Sequence, residues 1–279
     1  MRFNHDGLNT TEHRDRRIIV SLTSYPARIN IVPYVIASIL NQTMKPDKII
    51  LWLGIEQFPN EKLPDIFEEV RACGVEVRFC EDIGPHKKYL YAMKEYPEDI
   101  LITFDDDIFY EKHIIRTLYE SYLKHPDCVS AMRVHKITFS SDGSIKPYTQ
   151  WQSEYKNSKG HESYTYIATN GAGSIFPPHR VHDEIFNIEA IKKLCPKADD
   201  IWLKVMEVMN DTKVVHACDE SSIPGKQIYG SQEFALWRSN VSGGENDMQI
   251  KAVLDAYNTW PQNGKTLIEM MREDSNGVE

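Results

Sequence analysis

The sequence lacks any long apolar run. No stretch approaches the roughly 20 consecutive apolar residues that a helix needs to cross a bilayer. Residues 1–17, MRFNHDGLNTTEHRDRR, are polar and differ from the apolar region of a signal peptide. We therefore expect a cytoplasmic protein without a transmembrane segment. Peripheral association with the cytoplasmic face of the inner membrane stays open.

Cysteine is scarce and irregularly placed. The five cysteines are Cys73, Cys80, Cys128, Cys195 and Cys218. Their number is odd, and they show neither C-x-x-C spacing nor paired Cys/His spacing. This pattern argues against a disulfide framework and against a structural zinc site, so we expect reduced and buried thiols.

Positive charge is also in short supply. Lys and Arg total 32 against 41 Asp and Glu, which gives a formal net charge of −9 at pH 7. Nucleic-acid binding requires a concentrated basic surface, so this balance argues against a nucleic-acid partner. The 279 residues, 41% of them apolar, can bury a substantial core as a globular protein.

Short apolar runs alternate with helical patterns through the first part of the chain. The apolar runs are IIVSL, KIILWLG, VEVRFC and DILITF, and the helical patterns cover residues 32–40, 63–72 and 86–96. Such alternation predicts an α/β fold with a Rossmann-like, mostly parallel central sheet flanked by helices. In these sheets ligands bind beyond the carboxyl ends of the strands.

Charged and polar side chains follow the ends of the predicted strands. They are Thr23, Ser24 and Arg28 after the first strand, Glu81 and Asp82 after the third, Lys87 and Lys88 at the next helix, and Asp105, Asp106 and Asp107 after the fourth. Lys and Arg suit phosphate oxygens, and adjacent carboxylates suit a hard divalent cation. A nucleoside diphosphate with Mg²⁺ or Mn²⁺ fits this set.

Each of these features has a simpler alternative. The three aspartates could cap a helix that starts near Glu111, because Asp is a favoured N-cap residue. A D-x-D triplet also arises by chance about once in a chain of this length. Lys87 and Lys88 could form a solvated helix face. The position of the aspartates after a buried strand favours metal binding.

Several ordered motifs resemble those of one enzyme family. A strand that ends in D-x-D, together with SLTSYPARI, PDKIILWL and FDDDI, resembles the GT-A glycosyltransferases, in particular a bacterial group that builds surface polysaccharides. The resemblance spans residue 17 to about residue 255. It implies that Asp105 and Asp107 hold the metal and the donor diphosphate, with Asp107 preferred as the direct ligand. It also implies that Asp106 contacts the ribose.

A second pair of acids opens a predicted amphipathic helix in KADDIWLKVMEVM. Capping would explain only one of Asp199 and Asp200. The pair resembles the second acidic motif of inverting glycosyltransferases, in which a carboxylate is the general base. Inversion requires such a group, because the acceptor hydroxyl must lose its proton as it attacks the anomeric carbon. We favour Asp200 as the base and place Asp199 next.

Other features of the second half are less specific. We expect CVSAMRVHKITF to form a strand, and Gly171 and Gly173 to allow close approach to a ligand or to form an ordinary turn. His216 is either a further metal ligand or structural. The remaining candidates are the Asn246 and Asp247 pair as a helix cap, Gly243 and Gly244 as a loop hinge, and Trp151 and Trp237 as core residues or sugar-stacking residues.

The resemblance implies a metal-dependent, inverting glycosyltransferase. We expect a UDP-sugar donor and a saccharide or lipid-linked saccharide acceptor, in the synthesis of surface polysaccharide such as capsule. The expected organisation is a polar tail at 1–16, one GT-A domain at 17–262 with a donor half (17–110) and an acceptor half (111–262), and a helix and tail at 263–279. Alternatives are a haloacid-dehalogenase-type phosphatase, a sugar nucleotidyltransferase and a non-catalytic carbohydrate-binding module.

Overall fold

Twelve strands and eight helices make up the part of the chain that the structure describes. It is a computed structural model that describes residues 3–156, 158, 160–217, 225–228, 244–260 and 264–276. The strands are β1 (Ile18–Ser24), β2 (Lys48–Gly54), β3 (Glu76–Cys80), β4 (Ile100–Phe104), β5 (Ile108–Tyr110), β6 (Val129–Ala131), β7 (Val134–Lys136), β8 (Glu162–Ser163), β9 (Tyr166–Ala168), β10 (Ser174–Phe176), β11 (Val214–His216) and β12 (Gly225–Gln227). The helices are α1 (Val32–Leu40), α2 (Ile66–Ala72), α3 (Lys87–Glu95), α4 (Ile114–Lys124), α5 (Ile188–Leu194), α6 (Asp199–Met209), α7 (Glu245–Tyr257) and α8 (Leu267–Asn276).

The central sheet has eight strands in the order β3-β2-β1-β4-β10-β6-β11-β8. The pairs β2/β3, β1/β2, β1/β4 and β6/β11 are parallel. Strand β10 is antiparallel to both β4 and β6, and β8 is antiparallel to β11. The predicted α/β fold with a mostly parallel sheet is confirmed, and the first four predicted strands are β1 to β4.

Helices cover both faces of this sheet. Successive side chains of a strand point to opposite faces. Ile19 accordingly belongs to one buried cluster with Tyr89 of α3 and Trp202 of α6, whereas Val20 belongs to a second cluster with Ile36 of α1. The apolar runs of β1, β2 and β4 are therefore buried on both sides, which explains why they read as continuous rather than alternating.

The segment CVSAMRVHKITF was predicted as one strand, and this prediction is wrong. The segment forms two strands, β6 in the central sheet and β7, which pairs with β9 in a separate two-stranded sheet. The break falls at Met132 and Arg133, where Met132 N donates to Gly173 O at 2.9 Å. The local sequence does not show the change of partner at this point, because the partner strands β9 and β10 follow later in the chain.

One predicted helix cap is wrong, and so is the capping alternative for the three aspartates. Helix α4 begins at Ile114, and β5 lies between it and the three aspartates, so those acids do not cap it. Helix α7 begins after Gly244, which has a φ of 68°, and it has no side-chain cap. Oδ1 of Asp247 instead accepts a hydrogen bond from Tyr148 N at 2.6 Å, while Asn246 is buried.

The segments at both ends of the described chain pack onto the domain. Phe3 is buried in the same cluster as β1, and Arg14 forms an ion pair with Asp47 at 2.8 Å. In α8, Leu267 is fully buried and Asp274 forms an ion pair with Lys213 at 2.9 Å. The expected domain boundaries stay a prediction. Within the described residues, no helix has the length and apolar character to cross a membrane.

Candidate active site

Asp106 is held inside the protein by two donors from the first loop. Its Oδ2 accepts a hydrogen bond from Ser24 Oγ at 2.6 Å, and its Oδ1 accepts one from Arg28 at 2.7 Å. Only 5% of Asp106 is exposed. Strands β1 and β4 are parallel neighbours, so the loops at their carboxyl ends meet here, as the sequence predicted. Both oxygens of the predicted ribose contact are thus bonded to protein groups.

Arg28 also reaches Asp107. One guanidinium nitrogen lies 3.0 Å from Asp107 Oδ2. Burial raises the pKa of Asp107, the neighbouring charge of Asp105 raises it further, and Arg28 opposes both, so that the pKa is about 6. Asp105 and Asp107 therefore repel each other when both are ionised, and a bound cation would offset this repulsion.

Lys88 joins the two acidic motifs. It is 3% exposed, and its Nζ lies 2.7 Å from Asp105 Oδ1 and 2.8 Å from Asp199 Oδ2. Burial alone would raise the pKa of Asp105, but the charge and hydrogen bond of Lys88 outweigh it and hold that pKa below its ordinary value. Lys87 is 2% exposed and forms an ion pair with Asp82. A solvated helix face is therefore wrong for both lysines.

Asp200 is positioned by Asn170. Its Oδ1 accepts hydrogen bonds from Asn170 N at 3.0 Å and from Asn170 Nδ2 at 2.7 Å. Burial raises the pKa of Asp200 to about 7, with a further rise from Asp199 and a smaller opposing effect of Lys88. Helix α6 has no side-chain cap, so neither acid serves as one. A carboxylate with a pKa near 7 is suited to accept a proton at neutral pH.

Tyr110 and Gly171 bring the segment 170–173 against the D-x-D motif. Tyr110 Oη accepts a hydrogen bond from Asp105 N at 2.8 Å and donates one to Gly171 O at 2.5 Å. A Cβ atom on Gly171 would lie 2.0 Å from Asp105 Oδ2. Gly171 is therefore required for close approach of this segment to a carboxylate, and Gly173, with a φ of 105°, adopts the left-handed region.

The sequence interpretation missed three residues of this site. Tyr110 and Asn170 orient the two acidic motifs, as described above. Arg133 also lies here, because its charge helps to lower the pKa of Asp105. Its signal in the sequence is a basic residue directly after the apolar run VSAM, which is the same kind of position that singled out the aspartates after ILITF.

Several other residues that the sequence singled out contact protein groups outside the cluster of carboxylates. Thr23 Oγ1 donates to Trp52 O at 2.8 Å. His216 faces Met132 O, 3.2 Å from its Nε2, and Ser158 Oγ, 3.4 Å from its Nδ1. Trp151 is buried, as its core assignment predicted. Cys218, Trp237 and Gly243 lie outside the described residues.

Asp105 and Asp107 are the carboxylates suited to a divalent cation. Among the residues that the structure describes, no group of three His, Cys, Asp or Glu side chains is placed to hold a metal ion. Mg²⁺ commonly takes only one or two carboxylates and completes its shell with phosphate oxygens and water. Asp105 keeps 39% of its side chain exposed, and burial together with the charge of Asp105 raises the pKa of Asp107. These two residues fit a cation bound in that manner.

Comparisons with known proteins give no family assignment. No protein-family model matches the chain, and no curated protein matches it. A solved CMP:2-keto-3-deoxy-manno-octonic acid synthetase with CTP has a TM-score of 0.45 at 11% identity and covers 78% of this chain and 95% of its own. TarS of S. aureus with UDP has a TM-score of 0.47 at 12% identity and covers 72% of this chain and 57% of its own.

A third similar structure is glucosyl-3-phosphoglycerate synthase from Mycobacterium tuberculosis, in complex with Mn²⁺, UDP and phosphoglyceric acid. Its TM-score is 0.33 at 17% identity, and the match covers 42% of this chain and 43% of that one. The chain therefore spans only part of the length of this protein and of TarS. Structural similarity at these TM-scores does not indicate a function for this chain.

Proposed function

We propose that this chain is a metal-dependent glycosyltransferase of the GT-A fold. It transfers a sugar from a nucleotide donor, UDP-linked in the preferred form, to a saccharide acceptor with inversion. The observation that carries the proposal is the Lys88 bridge, in which one ammonium contacts both Asp105 and Asp199. This contact places the motif suited to a metal and diphosphate beside a second carboxylate pair, Asp199 and Asp200.

In the proposed donor site, Asp105 and Asp107 hold Mn²⁺ or Mg²⁺. The cation, when bound, neutralises the charge that develops on the departing diphosphate. Arg28, Lys87 and Lys88 lie at the same sheet edge, where they offset the carboxylates and favour entry of an anionic donor. Thr23, Ser24, Asp82 and Asp106 complete this edge and shape the loops that would hold the nucleotide.

Asp200 is the proposed general base. It takes the proton of the acceptor hydroxyl as that oxygen attacks the anomeric carbon, and the diphosphate leaves from the opposite side. The two hydrogen bonds from Asn170 occupy Oδ1, so Oδ2 is the atom that we assign to proton transfer. Lys88 and Asp199 hold the first turn of α6 next to the donor motif, which positions Asp200 for this step.

The wider role rests on the resemblance of the motifs. SLTSYPARI and FDDDI are similar to segments of bacterial enzymes that build surface polysaccharide. We therefore propose a saccharide or lipid-linked saccharide acceptor, a cytoplasmic location and a part in capsule synthesis. The proposed organisation remains one catalytic domain at 17–262, with donor and acceptor halves that meet at β5.

The alternative classes fit the site less well. A haloacid-dehalogenase-type phosphatase continues its D-x-D motif to Thr or Val two residues on, whereas Ile108 and Phe109 follow Asp107. A nucleotidyltransferase requires a Gly-rich basic loop after the first strand, and SLTSYPAR contains no glycine. A non-catalytic carbohydrate-binding module would use the aspartates as a calcium site and would have no use for a carboxylate with a pKa near 7.

A screen of nucleotide sugars tests the proposal. Thermal unfolding is measured with each nucleotide sugar in the presence and absence of Mn²⁺, because a ligand of the native state raises the unfolding temperature. We expect a metal-dependent shift with one UDP-sugar. Incubation with that donor and candidate acceptors should then release UDP and form a glycoside. Absence of any nucleotide-dependent shift, or release of phosphate without transfer, would overturn the proposal.

A further inference from the structure

Arg133 lies at the break between β6 and β7 and is anchored by one residue. Its Nε donates a hydrogen bond to Thr169 Oγ1 at 2.6 Å. The two backbones are also joined, because Thr169 N donates to Arg133 O at 3.0 Å and Thr169 Oγ1 lies 3.2 Å from the same oxygen. The guanidinium is therefore held at its Nε, which leaves its two terminal nitrogens to contact other groups.

Those terminal nitrogens form no hydrogen bond with a residue in the described part of the chain. One of them lies 3.9 Å from Glu154 Oε1, which is too far for a hydrogen bond. Both side chains of this pair are solvent-accessible, with 34% of Arg133 and 56% of Glu154 exposed, so their attraction is weak. Arg28 and Lys88, by contrast, form close ion pairs with the aspartates.

Arg133 and Asp200 are oriented by consecutive residues. Thr169 holds the guanidinium, and Asn170 holds the carboxylate through its N and Nδ2 atoms. Segment 169–170 therefore sets both groups relative to each other. A ligand that presents a hydroxyl to Asp200 therefore approaches the same piece of backbone that holds the Arg133 guanidinium.

Tyr148 lies within reach of both charges. Burial raises the pKa of Tyr148, Asp200 raises it further, and Arg133 lowers it. Its ring packs against Trp151 with centroids 4.7 Å apart, and its hydroxyl makes no hydrogen bond to a described residue. The Tyr148 ring has a hydroxyl without a described hydrogen-bond partner, and the Arg133 guanidinium has two terminal nitrogens that form no hydrogen bond with a described residue. Together they suit a sugar that carries an acid group.

We propose that the Arg133 guanidinium binds a carboxylate or phosphate group of the acceptor saccharide, next to the hydroxyl that Asp200 deprotonates. This inference rests on the proposed function and specifies its acceptor class. Arginine recognises such oxyanions through two parallel hydrogen bonds. Lys88 is already paired with Asp105 and Asp199, and Arg133 supplies a further positive charge that offsets repulsion between an acidic acceptor and the acids around Asp200.

The donor diphosphate is the competing ligand for Arg133. The charge of Arg133 also acts on Asp105, which belongs to the proposed donor site. The anchor on Thr169 nevertheless groups Arg133 with Asn170 and Asp200, on the acceptor side of the Lys88 bridge. The two ligands are separable by experiment. Loss of a direct contact with the diphosphate should weaken UDP binding as much as loss of Arg133 weakens binding of an acidic acceptor, whereas the indirect effect through Asp105 should be smaller.

Binding of matched probes tests the inference without turnover. The full chain, saturated with UDP and Mn²⁺, is titrated by calorimetry with nitrophenyl glucoside, nitrophenyl glucuronide and the phosphorylated nitrophenyl glucoside. We expect the acidic probes to bind about ten- to a hundredfold more tightly than the neutral one, the range for charge-assisted hydrogen bonds. The carboxylate and phosphate arms show which of the two oxyanions the site takes.

Variants then assign the preference to Arg133. Arg133→Met should remove the preference for acidic probes and should change the affinity for UDP with Mn²⁺ far less, since Arg133 acts on the donor site only through its charge on Asp105. Arg133→Lys should keep part of the preference. Thr169→Val should reduce it through loss of the Nε anchor, which provides a test if Arg133→Met does not fold. Arg116→Met is the matched control, because Arg116 is an exposed arginine of α4.

Three results would overturn the inference. They are equal or absent binding of the three probes to the wild type, an undiminished preference in folded Arg133→Met or Thr169→Val protein, and a loss of UDP affinity in a folded Arg133 variant that is as large as its loss of affinity for the acidic probes. Failure of the proposed function looks different, because UDP would then not bind to the wild type in a metal-dependent manner.

Discussion

Asn170 and Asp200 are joined by two hydrogen bonds to a single carboxylate oxygen, from the backbone N at 3.0 Å and from Nδ2 at 2.7 Å. Replacement of Asp200 by Asn keeps an acceptor oxygen for both donors and removes only the proton-accepting charge. The fold and the donor site should therefore survive this change, which makes Asp200→Asn a clean test of base catalysis.

We predict that Asp200→Asn lowers turnover by a factor on the order of 10² to 10⁴, the usual contribution of a positioned base. Donor affinity, measured by titration of UDP with Mn²⁺, should stay within about twofold. Asp199→Asn serves as the control and should cost less turnover, because Asp199 contacts Lys88 and not Asn170. A β-linked product from an α-linked donor, read from the anomeric proton coupling, should accompany wild-type transfer. Retention would remove Asp200 from this role.

The pKa of Asp200 predicts the pH dependence of the reaction. A base acts in its deprotonated form, and with a pKa of about 7 the rate should rise with pH and level off above about pH 8. At pH 6 only about one tenth of the sites would be active. The measurement is turnover at saturating donor between pH 5 and 9. An acid limb with a midpoint near pH 4 would show that the group responsible is an ordinary carboxyl.

The same raised pKa makes a stability prediction. The folded-state pKa of Asp200 lies above its unfolded value, so its protonation stabilises the fold at low pH, and that stabilisation is lost as pH rises through about 7. Asp200→Asn removes this dependence. The variant should therefore gain unfolding temperature relative to the wild type between pH 5 and 8, with little difference at pH 4. A constant difference across that range would contradict it.

Asp107 tests the proposed metal site. Asp107→Asn keeps the shape of the side chain and should reduce Mn²⁺-dependent UDP binding by tenfold or more, on the order of one lost charged ligand. Metal-dependent binding in the wild type should also weaken below pH 6, because the carboxyl with a pKa of about 6 must lose its proton to bind a cation. Full activity after exhaustive chelation would exclude the metal from the mechanism.

Gly171 tests the contact between the two halves of the site. A Cβ atom there would lie 2.0 Å from Asp105 Oδ2, so Gly171→Ala must displace the carboxylate or the segment 170–173. We expect a cost of about 1–3 kcal/mol in stability, as for other overpacked sites, and a clear loss of UDP and Mn²⁺ affinity. Gly160→Ala is the control for UDP affinity alone. No described atom lies within 4 Å of its added Cβ, while its φ of +73° means that alanine there also costs stability through backbone strain. Equal effects of both variants on UDP affinity would rule out the steric explanation.

Lys88 tests the bridge between the motifs. Lys88→Met should destabilise the fold by about 3–5 kcal/mol in urea unfolding, because it leaves Asp105 and Asp199 without their shared cation. Addition of Asp199→Asn should recover part of that loss, which a double-mutant cycle measures directly. Lys251→Met, which breaks an exposed pair with Asp255, is the matched control and should change stability by less than about 0.5 kcal/mol. Additive effects of the two site variants would mean that Lys88 and Asp199 do not interact.

The sequence alone was sufficient for the architecture of residues 17–110, the proposed donor half. The runs IIVSL, KIILWLG and DILITF are apolar without alternation, since strands of a parallel sheet are buried on both faces, and they became β1, β2 and β4. Topology then places residues after parallel strands at one edge. This reasoning correctly predicted that Ser24 and Arg28 lie near Asp106, although they are far apart in the sequence.

The tertiary structure decided which partner each of those side chains has. A solvated helix face stayed open as the alternative for Lys88, because the local pattern reports only its own helix. Its burial depends on Asp105 and Asp199 from distant parts of the chain. The break between β6 and β7 depends likewise on β9 and β10, which follow later in the chain. The positions of Asn170 and Arg133 arise from this break. Residue type and spacing determined the strands and the acids, while long-range pairing alone determined which charges meet.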